Sequence, residues 1–187
     1  MDYQCWEMVY IFWRNKLLLL IFIKSRLDTL WGAISQVRKI YFMIEVKFYD
    51  EMEDYLLKFA VIISKTNGKW IFCKHKDRET FEVPGGHREA GETILETAKR
   101  ELNEETGAKD FDIKPVCVYS VKGKTRVSEE DTAESYGMLF VANVFSFENL
   151  HSEIEKIIVC DKLIDNWTYP LIQPKLIQEA QNRGCLP

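Results

Sequence analysis

No two cysteines in this chain stand at CxxC spacing. Cys5, Cys73, Cys117, Cys160 and Cys185 are scattered and odd in number. That excludes a zinc ribbon, a thioredoxin-type redox motif and a secreted disulfide framework, and it predicts reduced thiols in a cytoplasmic protein. Histidine is scarce: His75, His87 and His151 are too far apart for a recognisable metal motif. No basic excess exists either. The net charge is -4, so no broad nucleic-acid surface and no stable nucleic-acid complex is expected. The longest apolar run, Leu17 to Ile23, is far short of the ~20 residues a spanning helix needs, so no transmembrane segment is predicted. Internal repeats and low-complexity tracts are absent.

What is there divides into two parts. Residues 1–42 hold three of the five tryptophans and a net charge of +3, whereas residues 43–187 carry -7. The first part is read as an N-terminal extension, helical if it is translated. The alternative is that Met43 is the natural start and residues 1–42 are an over-extended reading frame. The second part is the length of one domain.

Within residues 43–187 the pattern is mixed α/β. Alternation over 44–50 predicts an edge strand. The apolar run 56–64 predicts a strand buried on both faces. The Asn67-Gly68 pair predicts a hairpin into a strand over 70–75. A short strand is expected over 81–86, broken at Pro84, with the two glycines that follow forming a tight turn. Next comes a helix, with Thr93 as N-cap, Glu96 completing a capping box and Gly107 as the C-terminal stop. Ile94, Leu95, Ala98 and Leu102 form its apolar stripe. Two long strands (112–123 and 137–147), a short strand or crossover (156–163) and a last helix (174–184) follow. Such an order predicts a mixed sheet covered by helices, not a doubly wound parallel fold.

The helix carries the candidate chemistry. Glu101, Glu104 and Glu105 share one face. At the surface such like-charge pairs cost only about 0.2–0.5 kcal/mol each, and a solvated acidic face with Arg100 ion pairs would explain them. Partly buried, two such charges about 4 Å apart repel by roughly 4 kcal/mol at an effective dielectric of 20. A divalent cation reverses that sign, and Mg²⁺ takes hard oxygen ligands that it shares with phosphates. Gly85 and Gly86, just upstream, permit close backbone approach.

The spacing from Gly86 through Glu92 to Arg100-Glu101-Leu102-x-Glu104-Glu105-x-Gly107 resembles the Nudix box, the loop-helix-loop signature of Nudix hydrolases. Ala108 stands where the family usually has a larger aliphatic residue. The resemblance implies a Nudix fold, a mixed β-sheet sandwiched between helices (α/β/α). It also implies hydrolysis of a nucleoside diphosphate linked to another group, dependent on Mg²⁺ or Mn²⁺. Carried over by position, Glu101 and Glu105 are metal ligands with Glu104 assisting, and the Gly86 carbonyl contributes. Arg100 orients a catalytic glutamate, and Glu92 braces the loop. The general base is a box glutamate or an acid of a later loop: Glu129, Glu130, Asp131 or Glu134. Arg78 and Lys74 are expected phosphate contacts, with a plain surface charge as the alternative for Arg78. Trp167 or Tyr169 either stacks on a purine or packs as core. The stretch "DRETFEVPGGH" is similar to MutT-like proteins of the YtkD type, which implies a nucleoside triphosphate such as 8-oxo-dGTP as substrate. The alternatives are 5′-triphosphate RNA, a dinucleoside polyphosphate, a nucleotide sugar, or a nucleotide sensor without turnover. Family members are often dimers, which makes a homodimer an expectation.

If Met43 is the natural start, the protein purified from its native source has an intact mass below 22.0 kDa. A 22.0 kDa species removes that reading.

Overall fold

A computed structural model describes residues 44–123, 134–150 and 153–186. The expectation for residues 1–42, and the loop acids Glu129, Glu130 and Asp131, lie outside the described residues. Seven strands form one mixed sheet: β1 (Glu45–Tyr49), β2 (Leu57–Thr66), β3 (Lys69–His75), β4 (Gly85–His87), β5 (Ala108–Lys122), β6 (Ser135–Phe147) and β7 (Ile154–Cys160). Among the described residues two α-helices accompany it, α1 (Ile94–Thr106) and α2 (Gln173–Asn182).

The strand order is β1-β5-β6-β2-β3-β7, with β4 pairing β2 off this path. The β2–β6 pair is parallel and the others are antiparallel. Strand β1 lies at an edge, as its alternation implied, and β2 lies in the interior. Its consecutive apolar residues serve two cores. Ala60 and Ile62 face one together with Ile94, Ala98 and Leu102 of α1. Phe59, Val61 and Ile63 face the other together with Leu176, Ile177 and Ala180 of α2. The sheet is thus covered on each face by a helix, the α/β/α layering.

Asn67 (φ 49°) and Gly68 (φ 79°) close the β2–β3 hairpin. Two positive φ values in a two-residue loop make a type I′ turn, whose twist matches the strands. Helix α1 starts with the reciprocal capping box. The Glu96 amide donates to Thr93 Oγ1 (3.2 Å), and the Thr93 amide donates to Glu96 Oε2 (2.7 Å). Its end is Gly107, at φ 71°. Pro174 sits in the first turn of α2, where its missing N–H has no intrahelical partner to lose.

Three local expectations need correction. Leu95 is not in the α1 stripe: it is exposed, and Thr97 and Thr106 take buried places. Their hydroxyls can be buried because each has an acceptor, the Glu92 carboxylate for Thr97 and Leu102 O, in the turn below, for Thr106. Second, the segment 81–86 is not one strand broken at Pro84. Phe81 and Glu82 form isolated bridges to Trp167 and Cys73, and the regular strand is Gly85–His87. Third, Gly85 and Gly86 form no tight turn. They are part of β4, paired with Val61 and Ala60. Their lack of a side chain serves close packing: a Cβ on Gly85 would stand 2.5 Å from Ala60 O, and one on Gly86 would overlap the Glu101 carboxylate.

A Cβ at position 107 would meet Glu148 O at 2.5 Å as well as a left-handed backbone. Gly107→Ala is therefore expected to cost more than the ~1–2 kcal/mol of the left-handed conformation alone. Thr93→Ala should cost only about 1 kcal/mol through loss of the cap. Urea unfolding of both variants checks the order.

Candidate active site

Strand β4 and helix α1 face each other, and their contact brings the acidic cluster against backbone. The carboxylate of Glu101 lies over the Cα of Gly86. One turn on, Glu105 Oε2 accepts the Gly85 N–H at 2.8 Å. Two carboxylates of one helix face are thus set on the two consecutive glycines of β4, which have no side chains to keep them away.

Arg100 organises the approach. Its Nε and Nη2 donate to Glu92 (2.7 and 3.1 Å), its Nη1 to Glu101 (2.8 Å) and Glu104 (3.0 Å), and its Nη2 also to the His87 carbonyl (3.0 Å). One planar guanidinium therefore ties the loop, β4 and two of the three clustered carboxylates together. Glu92 is held from its other side by the Glu89 amide (3.1 Å) and Thr97 Oγ1 (2.8 Å). These donors, Arg100 foremost, lower its carboxyl to about 2. Among the described residues Glu104 pairs with Arg100 alone, and it is half exposed.

Burial acts in the opposite direction deeper in. It raises the Glu101 carboxyl above its ordinary value, against the pull of Arg100. It pushes Glu105 up to about 8, and the neighbouring negative charges of Glu82 and Glu101 add to the shift. The two donors to Glu105 are neutral: the Gly85 amide and the Cys73 thiol, whose Sγ is 3.7 Å from Oε2. Burial likewise raises Cys73, so the thiol stays protonated. A buried carboxylate with acidic neighbours and no paired cation is where added positive charge is most strongly favoured.

That is the test of whether a divalent cation fits. The donor set is all hard oxygen, from Glu101, Glu105, Glu104 and the Gly86 carbonyl, which suits Mg²⁺ or Mn²⁺. Among the described residues no three His, Cys, Asp or Glu side chains converge at ligating distance. Glu101 is turned to Arg100 and Glu105 to Gly85, so metal binding requires these side chains to reorient. The chemistry of the donors fits the cation.

The remaining expected residues fall elsewhere. Lys74 is buried, and its Nζ is bound to Glu155 (2.6 Å) and Glu79 (3.3 Å). An ammonium engaged by two carboxylates is not presented to a phosphate. Arg78 is partly exposed. It donates to the buried Glu82 (2.7 Å), and its guanidinium lies 6.0 Å from the Tyr169 ring centre. Trp167 packs edge-on against Phe72, with centroids 5.2 Å apart, and so belongs to the core. Glu134 accepts from Ser120 Oγ (2.6 Å) and Tyr49 OH (3.2 Å), and the serine bond first of all lowers its pKa. It is a fixed anion at the β1–β5–β6 corner. Sequence reasoning missed Cys73 and Glu82, which reach Glu105 across strands. No periodicity marks such contacts.

The chain is similar to known proteins in three ways. A model of the NUDIX domain matches residues 54–178, more than half of the chain. A Bacillus subtilis (strain 168) protein, YtkD, provisionally assigned as an 8-oxo-dGTP diphosphatase, is 37% identical over 84 residues. That alignment covers 45% of this chain and 52% of YtkD, so the chain spans about half the length of the curated relative it matches. Among solved structures, the Bacillus subtilis pyrophosphohydrolase BsRppH superposes with a TM-score of 0.62 at 23% identity, covering 77% of this chain and 93% of that one. A C. elegans Ap4A hydrolase gives 0.51 at 16%, covering 69% and 100%. Both likenesses show the fold alone. No described helix is long and apolar enough to cross a membrane. From the domain match, and from a sheet-and-helix layering that such structures share, the chain belongs to the NUDIX domain family.

Proposed function

We propose that the protein is a divalent-metal-dependent pyrophosphohydrolase of nucleotides. The observation that carries this reading is the pair of partly buried carboxylates, Glu101 and Glu105, set against the side-chain-free strand at Gly85 and Gly86. In it, Glu101, Glu105 and the Gly86 carbonyl hold Mg²⁺ or Mn²⁺, with Glu104 assisting. When bound, such an ion neutralises phosphate oxygens and acidifies water. Arg100 orients Glu104 as the catalytic glutamate, and Glu92 keeps Arg100 in place. Glu104, the most exposed of the three, is within reach of solvent and takes the proton of the attacking water. Water oxygen bonds to phosphorus as one anhydride P–O bond breaks, and the two phosphate products separate. In this reading Arg78 is the phosphate contact, once it exchanges its Glu82 partner.

For substrate, the likeness to YtkD supports a nucleoside triphosphate such as 8-oxo-dGTP, cleaved to monophosphate and pyrophosphate in the cytoplasm. The alternatives of 5′-triphosphate RNA, dinucleoside polyphosphates and nucleotide sugars keep the same chemistry and differ in what lies beyond the diphosphate. A sensor without turnover is disfavoured because all three box carboxylates are present.

Glu101→Gln is expected to lower Mg²⁺-dependent pyrophosphate release by more than about 100-fold with an unchanged circular dichroism spectrum. Arg100→Lys cannot keep all five bonds and should lose about 10–100-fold, the range of an outer-shell partner. Full turnover by Glu101→Gln would overturn the assignment. A panel of 8-oxo-dGTP, dGTP, triphosphorylated RNA, Ap4A and a UDP-sugar, assayed for pyrophosphate and phosphate, decides the substrate. Equal slow rates on all would remove the triphosphate reading.

A further inference from the structure

Glu82 is a buried carboxylate beside the acidic cluster, with no part in the reaction described above. Its side chain is only 8% exposed, and the Arg78 Nη1 lies 2.7 Å from its Oε1. Its negative charge also reaches the buried Glu105. The two partners of this ion pair differ in freedom. The Glu82 amide donates to Cys73 O (3.0 Å), and its carbonyl accepts from the Cys73 amide (2.9 Å). The preceding residues are tied as well. The Phe81 amide donates to Asn166 O (2.9 Å), and the Phe81 carbonyl accepts from the Thr168 amide (2.8 Å). The hydroxyls of Thr80 and Thr168 are bonded at 2.8 Å. Arg78 lies upstream of this tied stretch, with its side chain partly exposed and its guanidinium 6.0 Å from the Tyr169 ring centre. An arginine head on a long stem can leave, whereas a carboxylate buried on a pinned backbone stays.

Departure of Arg78 leaves Glu82 without its guanidinium, beside the negative charge of Glu105. Removing one partner of a buried pair is costly for that reason. A divalent cation at Glu105 changes the balance twice. It attracts Glu82, and it repels the guanidinium. Both effects favour transfer of Arg78 from Glu82 to a phosphate.

We propose that Glu82 is a positioning residue that withholds Arg78 from phosphate until a cation sits at Glu105, so that metal and diphosphate binding are coupled through one exchange of ion-pair partners. This rests on the reading above, in which Glu105 holds the cation and Arg78 is the phosphate contact. Such coupling is reciprocal: each ligand raises the affinity for the other by the same factor. The share of it that runs through Glu82 disappears when that side chain is neutral.

The test uses the full chain and methylenediphosphonate. This probe has the two linked phosphorus groups common to all the substrates considered, and water does not cleave its P–C–P bridge. Its binding is measured by calorimetry in EDTA and in Mg²⁺. In EDTA, Glu82→Gln should bind it about 10-fold more tightly than the parent, the lower end of what a hydrogen bond to a charged group is worth. In an Arg78→Gln background the same substitution should gain less than about 3-fold, the scale of a screened charge. In Mg²⁺ the gain from Glu82→Gln should also fall below about 3-fold, because the cation has already released Arg78. A second measurement does not depend on the folding of Glu82→Gln. In the parent, Mg²⁺ without phosphate should speed the exchange of the Arg78 guanidinium protons with water, followed by NMR. No gain in EDTA, or an equal gain in the Arg78→Gln background, overturns the exchange. A full gain that persists in Mg²⁺, or guanidinium exchange that Mg²⁺ leaves unchanged, overturns its link to the cation. Mn²⁺ binding, read by electron paramagnetic resonance, that is unaffected by Glu101→Gln and Glu105→Gln overturns the metal site instead. The measurements in EDTA then still decide whether Glu82 withholds Arg78.

Discussion

The approach of a helix face to a bare strand is the constraint on which this molecule turns. Strand β4 lies so close to α1 that a single carbon added at Gly86 would occupy the place of the Glu101 carboxylate. This closeness removes water from Glu101 and Glu105 and raises both. It also lets backbone N–H and carbonyl groups take part where side chains would otherwise intervene. The cost is met by neighbours: the capping box and the left-handed Gly107 hold α1 at its two ends, and β2 holds β4 from the other side.

Charge is distributed around this contact by a gradient of exposure. At the rim, Arg100 binds Glu92, Glu101 and Glu104, and its positive charge keeps Glu92 ionised far below the ordinary range. Inside, Glu105 has only neutral donors. One arginine cannot serve both levels, because its guanidinium is planar and already spent. The inner carboxylate is left electrostatically incomplete. Such incompleteness is a cost in folding and an advantage in binding a cation.

Much of the helix was legible in the chain. Its caps, its bounds and its acidic face follow from interactions three and four residues apart, which a linear sequence displays. The hairpin at Asn67-Gly68 was legible for the same reason, as was the interior position of β2 from its unbroken apolar run. Leu95 was misplaced because an apolar residue at the margin of a stripe reads the same whether or not the sheet reaches it. The glycines at 85 and 86 were read both as a tight turn and as allowing close backbone approach, and only the close approach is what they supply. A sequence shows that a side chain is missing, and it does not show what fills the space.

By itself, then, the sequence determined the spacing that assigns the family, the helix that bears the acids and the order of strands around it. Only the tertiary structure decided how each acid is used. It put Lys74 into ion pairs with Glu79 and Glu155, Trp167 against Phe72, and Glu134 onto Ser120. It also brought Cys73 to Glu105, 32 positions away in the chain. The physical reason is that periodicity encodes contacts within an element, while contacts between strands depend on register and on packing distances that no local pattern carries.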